Sequence, residues 1–475
     1  MENQTAPREN RMGTEAIRPL LFKMAIPMML SMMVQALYNV VDSIFVARLS
    51  EDALTAVSLG FPMQNLMIAF SVGLGVGINA LVSRSLGEKN QKMVDEAARQ
   101  GLFLELCAAA LFVLAGIFAI PAFMRSQIGE AHIIADGTTY LRIVTCICPF
   151  IFTAVFFERM LQSTGKTHLA MIGQMAGAVT NIMLDPILIF GLLGLPRMGV
   201  AGAAAATVIG QAVSALTAGL LHFRRNREIR LTLRGFRPEG RVIGVILSVG
   251  VPSIIMGAIG SVMTYCMNRI LGVFTKTAIA VFGAYFKLQS FIFMPVFGLN
   301  NAMVPIVAYN YGARRPDRMR ETIKTAMIYA ISIMVGGFLL MQIFPGFFLT
   351  LFNASADMLA IGKTALRTIS FSFLLAGYCI ICGSTFQALG KGTYSMFVSI
   401  ARQLVALIPA AWLLSKTGAL AAVWWAFPIA ELMSCAISTY YFLKVRREII
   451  RPLERGEEEY AAASAGYDAC GRRSD

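Results

Sequence analysis

Charged side chains are scarce in this chain: 14% of its 475 residues, against 57% hydrophobic ones. A soluble protein of this length carries about a quarter charged residues, which excludes a water-exposed globular fold. Histidine is scarcer still. The three, His132, His168 and His222, each fall at the end of an apolar segment. No Ser-His, HExxH or Gly-Asp protease pattern stands out, so no enzyme is expected. The eight cysteines are scattered, and Cys146 and Cys148 have no histidine or carboxylate nearby in sequence. They read as small buried hydrophobes, so neither a disulfide framework nor a metal cluster is expected. The opening MENQTAPRENRMGTEAIRPL lacks the short apolar core and small-residue cleavage site of a signal peptide. The first apolar segment is therefore expected to stay in the mature protein.

Long hydrophobic runs take the place of charge. Runs of roughly 20 residues can each cross a bilayer as a helix. They recur at 20–47, 53–82, 102–124, 138–160, 168–194 and 200–223, then at 243–272, 278–308, 324–350, 364–388, 393–415 and 419–443. The fold class read from them is an all-α polytopic membrane protein with twelve transmembrane helices. The net charge of +14 invites a nucleic-acid partner, but its distribution argues against one. The densest basic runs, RRNREIRLTLRGFRPEGR (224–241) and GARRPDRMRETIK (312–324), lie between apolar segments. With the amino terminus inside, the even-numbered connections are cytoplasmic, and they hold SRSLGEKNQK, STGKTH, the long arginine run, GARRPDRMR and GKGT. The outer connections RLSEDALT, LPRMG and FTKTA carry one basic residue each. Only the connection after span nine, with Lys363 and Arg367, weakens this positive-inside bias. A multi-pass protein of the inner (plasma) membrane is expected, monomeric among lipid, with both termini cytoplasmic.

The chain also repeats itself at a shift of 225 positions. Pro27 pairs with Pro252, Phe61 with Phe286, Gln64 with Gln289, Gly73-Leu74 with Gly298-Leu299, and Gly87 with Gly312. Farther on, Leu141-Arg142 pairs with Leu366-Arg367, and LQSTGK (161–166) with FQALGK (386–391). Six spans per half keep both halves in one orientation, so the repeat is parallel and the fold is two pseudo-symmetric six-helix bundles. Such repeats place a substrate cavity between two lobes near the membrane midplane. The expected organisation is a cytoplasmic segment 1–19, a first lobe 20–223, a basic linker 224–242, a second lobe 243–445, and a disordered cytoplasmic tail 446–475. A transporter is the leading class.

An ionisable residue inside a span is a functional candidate by default, because leaving it unpaired in hydrocarbon costs several kcal/mol. Asp42 lies deep in span one, in YNVVDSIFVARL, and Asp185 deep in span five, in NIMLDPILIF. Asn181 precedes Asp185 by one turn on the same face. Span six enters from outside, which puts Thr207 at similar depth. Pro186 removes a backbone donor and frees the carbonyl of Ile182. Together these groups make an oxygen-rich cage suited to a hard cation such as sodium. Alternatively, the paired aspartates hold a proton, or Asp185 only caps a half-helix while Asp42 faces a water-filled vestibule. The repeat places Met267, Ala406 and Ala410 at the positions matching Asp42, Asn181 and Asp185. A coupling ion is therefore expected in the first lobe.

Glu105, Glu158 and Arg159 read as interfacial groups near span ends. Lys287, Arg402 and Glu431 lie within spans eight, eleven and twelve, either pairing with one another or, for Lys287, lining the cavity. GLGVG (73–77) resembles a nucleotide loop but sits in an apolar helix without a preceding strand, so close helix packing is the better reading. The 28 Met and 32 Phe suit a soft cavity, although most are expected to face lipid or to pack.

At YNVVDSIFVARL, NIMLDPILIFG, GVAGAAAATVIGQ and VAYNYGARRPDRM the chain resembles the multidrug and toxic compound extrusion (MATE) transporters, in their DinF/MepA-like branch. The resemblance spans about residues 15 to 445. It implies a V-shaped pair of bundles that rocks between inward-open and outward-open states. It further implies antiport of cationic or amphipathic drugs against protons or sodium, with no cofactor. By motif, Asp42, Asn181, Asp185 and Thr207 are the cation-coupling residues, with the Ala203 carbonyl as a further ligand. Gln35 and Tyr38 are placed near this site or the cavity, to which Gln64, Lys287 and Gln289 also belong. Pro27 and Pro186 are the hinges. NorM-like relatives have acids in spans seven and ten, which this chain lacks, so a second-lobe sodium site of that type is not expected. A flippase for lipid-linked precursors is the alternative. It calls for a strongly cationic cavity, and intramembrane Arg and Lys are few.

Overall fold

The computed structural model describes residues 10–127, 130–232, 234–351 and 355–456. Among these residues the chain is helical and contains no strand. Ten helices are long and apolar enough to cross a membrane, and two bent pairs complete a set of 12 spans. Spans one to three are Ile17–Ala47, Glu51–Gly87 and Gln91–Phe118. Span four is Ala131–Cys146 with Pro149–Ser163, and spans five and six are Thr167–Phe190 and Val200–Arg225. Spans seven to nine are Gly240–Gly272, Lys276–Gly312 and Pro316–Ile343. Span ten is Ala356–Ser370 with Phe373–Ala388, and spans eleven and twelve are Gly392–Ser415 and Leu420–Gly456.

The sequence repeat is also a repeat of local chemistry. Ser50 accepts a hydrogen bond from the Ala53 amide to start span two, and Thr275 does the same with Ala278 to start span eight, each at 3.0 Å. Lys89 and its counterpart Arg314 both take left-handed backbone angles, φ 55° and 53°. Gly165 and Gly390 turn the chain after spans four and ten at φ 79° and 75°, a conformation that favours glycine.

Spans four and ten, expected to be single helices, bend by 45° and 48° at matching positions. In span four, Pro149 opens the second segment and cannot supply the hydrogen bond that would continue the first. Span ten has no proline there. Pro27 and Pro186, the expected hinges, lie inside helices that continue through them. Residues 446–456, expected to belong to the disordered tail, are helical. Span twelve stays helical to Gly456 because Ile450 is buried in the second-lobe core. Residues 457–475, like residues 1–9, lie outside the described residues.

The lobes interlock. Ile17, Leu21 and Met24 of span one pack in the core of spans seven to twelve, while Val242 and Ile246 of span seven pack in the first-lobe core. Gly73 and Gly77 lie so close to span seven that a Cβ would strike it, which is the packing read from GLGVG. Gly298 meets span one in the symmetric way. At the end of the molecule carrying the basic loops, Gly87 of span two and Gly312 of span eight each lie against the other span's backbone. All these approaches fall in the halves of the helices nearer that basic end.

A strap crosses the same end. Asn10 donates to the Thr164 carbonyl at 3.2 Å, and Arg11 donates to that of Gly165, both after span four. On the other lobe, Asn310 and Arg318 donate to the Met12 carbonyl at 3.1 and 3.0 Å, and Arg318 reaches the Glu15 carbonyl at 2.6 Å.

Candidate functional site

Spans five and six touch through glycine. Gly177 and Gly210 each lie against the other's carbonyl oxygen, so the two backbones nearly meet. That approach brings Asn181 against Thr207. Asn181 Nδ2 lies 3.5 Å from Asp185 Oδ1 and 3.4 Å from Thr207 Oγ1. Turning the amide over satisfies both its ends: Nδ2 donates to Asp185 Oδ2 at 3.3 Å, and the oxygen accepts from the Thr207 backbone N–H at 3.2 Å. Asp185 is 0% exposed. Span one packs on span five and brings Asp42, half-buried, into hydrogen-bonding range of Asp185. The Oδ1 of Asp42 is buried with no hydrogen-bond partner. Ala203 is buried one turn before Thr207.

Two facing carboxyls, one carrying an unpartnered oxygen, with an amide and a hydroxyl beside them, suit either a shared proton or a hard cation. Tyr38, one turn before Asp42, is near enough to interact electrostatically with both acids. So is Tyr140 on span four, which sequence reasoning missed. Its signal was a polar-tipped aromatic just before the repeated Leu-Arg pair. Gln64, expected in the substrate cavity, donates to the Tyr140 hydroxyl at 3.1 Å and so positions it.

The remaining candidates separate. Gln35 is exposed on the same face of span one as Tyr38 and Asp42. Gln289 lines a cavity in the second lobe, together with Arg402 and Glu431. Those two pair with each other, Nη1 to Oε2 at 3.5 Å. Lys287 is exposed and is not among that cavity's lining residues.

Glu105, Glu158 and Arg159, expected as interfacial groups, do not lie on the protein surface. All three are buried inside the first lobe, because polar partners from four other spans converge on them. Glu158 accepts from Gln174 at 2.6 Å and Ser214 at 3.3 Å, and Glu105 accepts from Ser71 at 3.2 Å. Arg159 donates to Gln162 at 2.8 Å and across the lobes to Asn301 at 3.0 Å. The seven described cysteines are free thiols. Asp52, Glu130 and His132 meet on the surface as exposed neighbours.

The MatE family model matches residues 27–187 and again 252–413, the same displacement as the internal repeat. The multidrug export protein MepA of Staphylococcus haemolyticus is 27% identical over 440 residues, 90% of this chain and 93% of that protein. The probable multidrug resistance protein YoeA of Bacillus subtilis is 28% identical over 442 residues, 90% and 94% of the two chains. A solved outward-facing multidrug resistance MATE family transporter of the MOP superfamily is similar with a TM-score of 0.88 and 26% identity, over 94% of this chain and 99% of that one. With its doubled match, twelve spans and two lobes, the chain belongs to the MatE family of membrane transporters.

Proposed function

We infer that this protein is a multidrug efflux antiporter of the plasma membrane, exporting cationic or amphipathic drugs as a proton or a sodium ion enters. The facing carboxyls of Asp42 and Asp185, held with Asn181 and Thr207, carry this reading. Like charges in contact within a membrane call for a neutralising ion. The names of MepA and YoeA support the drug class. The positive-inside bias supports placing the basic end and both termini in the cytoplasm.

In that orientation the lobes close against one another on the cytoplasmic side through Gly87, Gly312 and the Asn10–Glu15 strap. The substrate path is then open to the outside. An ion entering from outside reaches Asp42 and Asp185 and discharges them. Spans one, five and six repack around the neutral pair, and the drug leaves. Coupling requires that ion and drug prefer different states or displace one another. Ala203 contributes a carbonyl to the ion, Gln35 and Tyr38 face the cavity beside it, and Pro27 and Pro186 let their helices flex.

The test uses reconstituted vesicles loaded with a fluorescent cation, under a pH gradient or a sodium gradient imposed one at a time. One gradient is expected to drive transport in the wild type and to fail in Asp42→Asn and Asp185→Asn. Full-rate uphill export by a folded Asp42→Asn protein would refute the coupling site. If neither gradient moves any cation, the antiport reading falls.

A further inference from the structure

The second-lobe cavity has a volume of about 80 Å³, and the repeat identifies its counterpart. Its lining residues Met263, Phe286 and Gln289 stand 225 positions after Tyr38, Phe61 and Gln64. Glu431 stands at the same shift from Ala206, the neighbour of Thr207. The cavity is therefore the second lobe's version of the acid pocket, rebuilt with other chemistry. It holds one carboxylate, Glu431 from span twelve, and one guanidinium, Arg402 from span eleven. Four aromatic rings surround them: Tyr285, Phe286, Phe293 and Phe427.

Two features mark it as a site rather than packing. Glu431 is only 5% exposed, yet its Oε1 has no hydrogen-bond partner. Its other oxygen meets Arg402 at 3.5 Å, longer than the roughly 2.7–2.9 Å of a strong charge-assisted bond. The Arg402 side chain keeps 30% of its surface exposed. The pair is thus loose, with spare capacity on the carboxylate. Span eleven also leaves α-helical geometry here. A π-helical segment, Ala401–Leu407, supplies Arg402, Gln403 and Leu407 to the lining. Such segments occur frequently at functional sites, and span five is α-helical at the matching place.

Aromatic faces around one carboxylate suit a cation whose charge is sheathed in methyl groups. A bare metal ion would give up strong hydration for few oxygen ligands. The ring centroids of Tyr285 and Phe427 are 5.8 Å apart, and those of Tyr285 and Phe286 are 5.7 Å apart. We propose that this cavity is a subsite for the alkylated or quaternary ammonium head of a transported substrate, which displaces Arg402 from Glu431. Arg402 is the internal cation that occupies the carboxylate between substrates. The assignment rests on the transport reading and deepens it by locating the substrate's charge.

Equilibrium binding needs no ion gradient, so it separates this proposal from the coupling mechanism. Purified full-length protein would be titrated with choline and with its uncharged isostere 3,3-dimethylbutanol. Choline is expected to bind at least tenfold more tightly than the isostere. Glu431→Gln is expected to weaken choline at least tenfold, whereas Arg402→Gln strengthens it severalfold by removing the internal competitor. A merely structural ion pair predicts no such opposite signs, only lower stability in both single variants. The double variant Glu431→Gln/Arg402→Gln leaves neither charge alone, so it is expected to fold even if the single variants do not, and to lose choline binding. Unchanged choline affinity in the double variant, or equal binding of the isostere, overturns the subsite. Choline binding with these signs but no gradient-driven export of any cation would uphold the subsite and sink the antiport reading.

Discussion

Gly87→Ala probes the contact that closes the lobes at the basic end. A Cβ there would lie 1.9 Å from the Tyr309 carbonyl oxygen, and one at Gly312 would lie 2.1 Å from that of Arg84. Backbone cannot swing aside as a flexible side chain does. Spans two and eight must therefore part by about 1 Å, and overpacking of this kind costs about 1–3 kcal/mol. In an alternating-access cycle that cost falls only on the state in which the two backbones touch. The closed-to-open ratio at this end should drop about 5- to 150-fold. Nitroxide labels at Lys92→Cys and Asp317→Cys report it in a background without the native cysteines. Both positions are exposed, one on each lobe, and they are related by the repeat. Pulsed dipolar spectra should gain a longer distance in Gly87→Ala, and more of it in Gly87→Ala/Gly312→Ala. An unchanged distance distribution in the folded double variant would refute the view that this contact selects the state.

Asn181→Ala removes the amide between Asp185 and Thr207, and the gradient assay should show at least a tenfold weaker apparent affinity for the driving ion. Arg159→Leu removes the guanidinium that donates to Gln162 and, across the lobes, to Asn301; thermal unfolding in detergent should register a loss of about 1–3 kcal/mol for the acceptors left unpaired, and an unchanged midpoint would contradict the buried network. Arg318→Ala removes two charge-assisted bonds to the strap, so the amides of residues 10–16 should exchange hydrogen markedly faster while those of spans two and eight do not. Gln64→Leu strands the Tyr140 hydroxyl beside the two acids, at a cost of about 1–3 kcal/mol, readable as a lower unfolding midpoint.

Apolar run length and the 225-residue repeat determined the spans, the parallel doubling and the two lobes, because hydrocarbon thickness sets helix length and a repeated turn needs repeated residues. Depth along the helices also brought Asp42, Asn181, Asp185 and Thr207 to one level. The 3.6-residue period fixes a face and a height, but it does not say which helices touch. Tertiary packing decided the rest. The Gly177–Gly210 approach set Asn181 on Thr207. Polar partners from neighbouring spans drew Glu105, Glu158 and Arg159 into the lobe, where hydropathy had left them at the interface. Tyr140 joined the acids from span four. Span ten bends where span four does, with no proline to announce it. Glu431 faced Arg402 because a π-helical segment altered the register of span eleven. Composition reports what each residue costs in the membrane, and only the packed helices show which partner meets that cost.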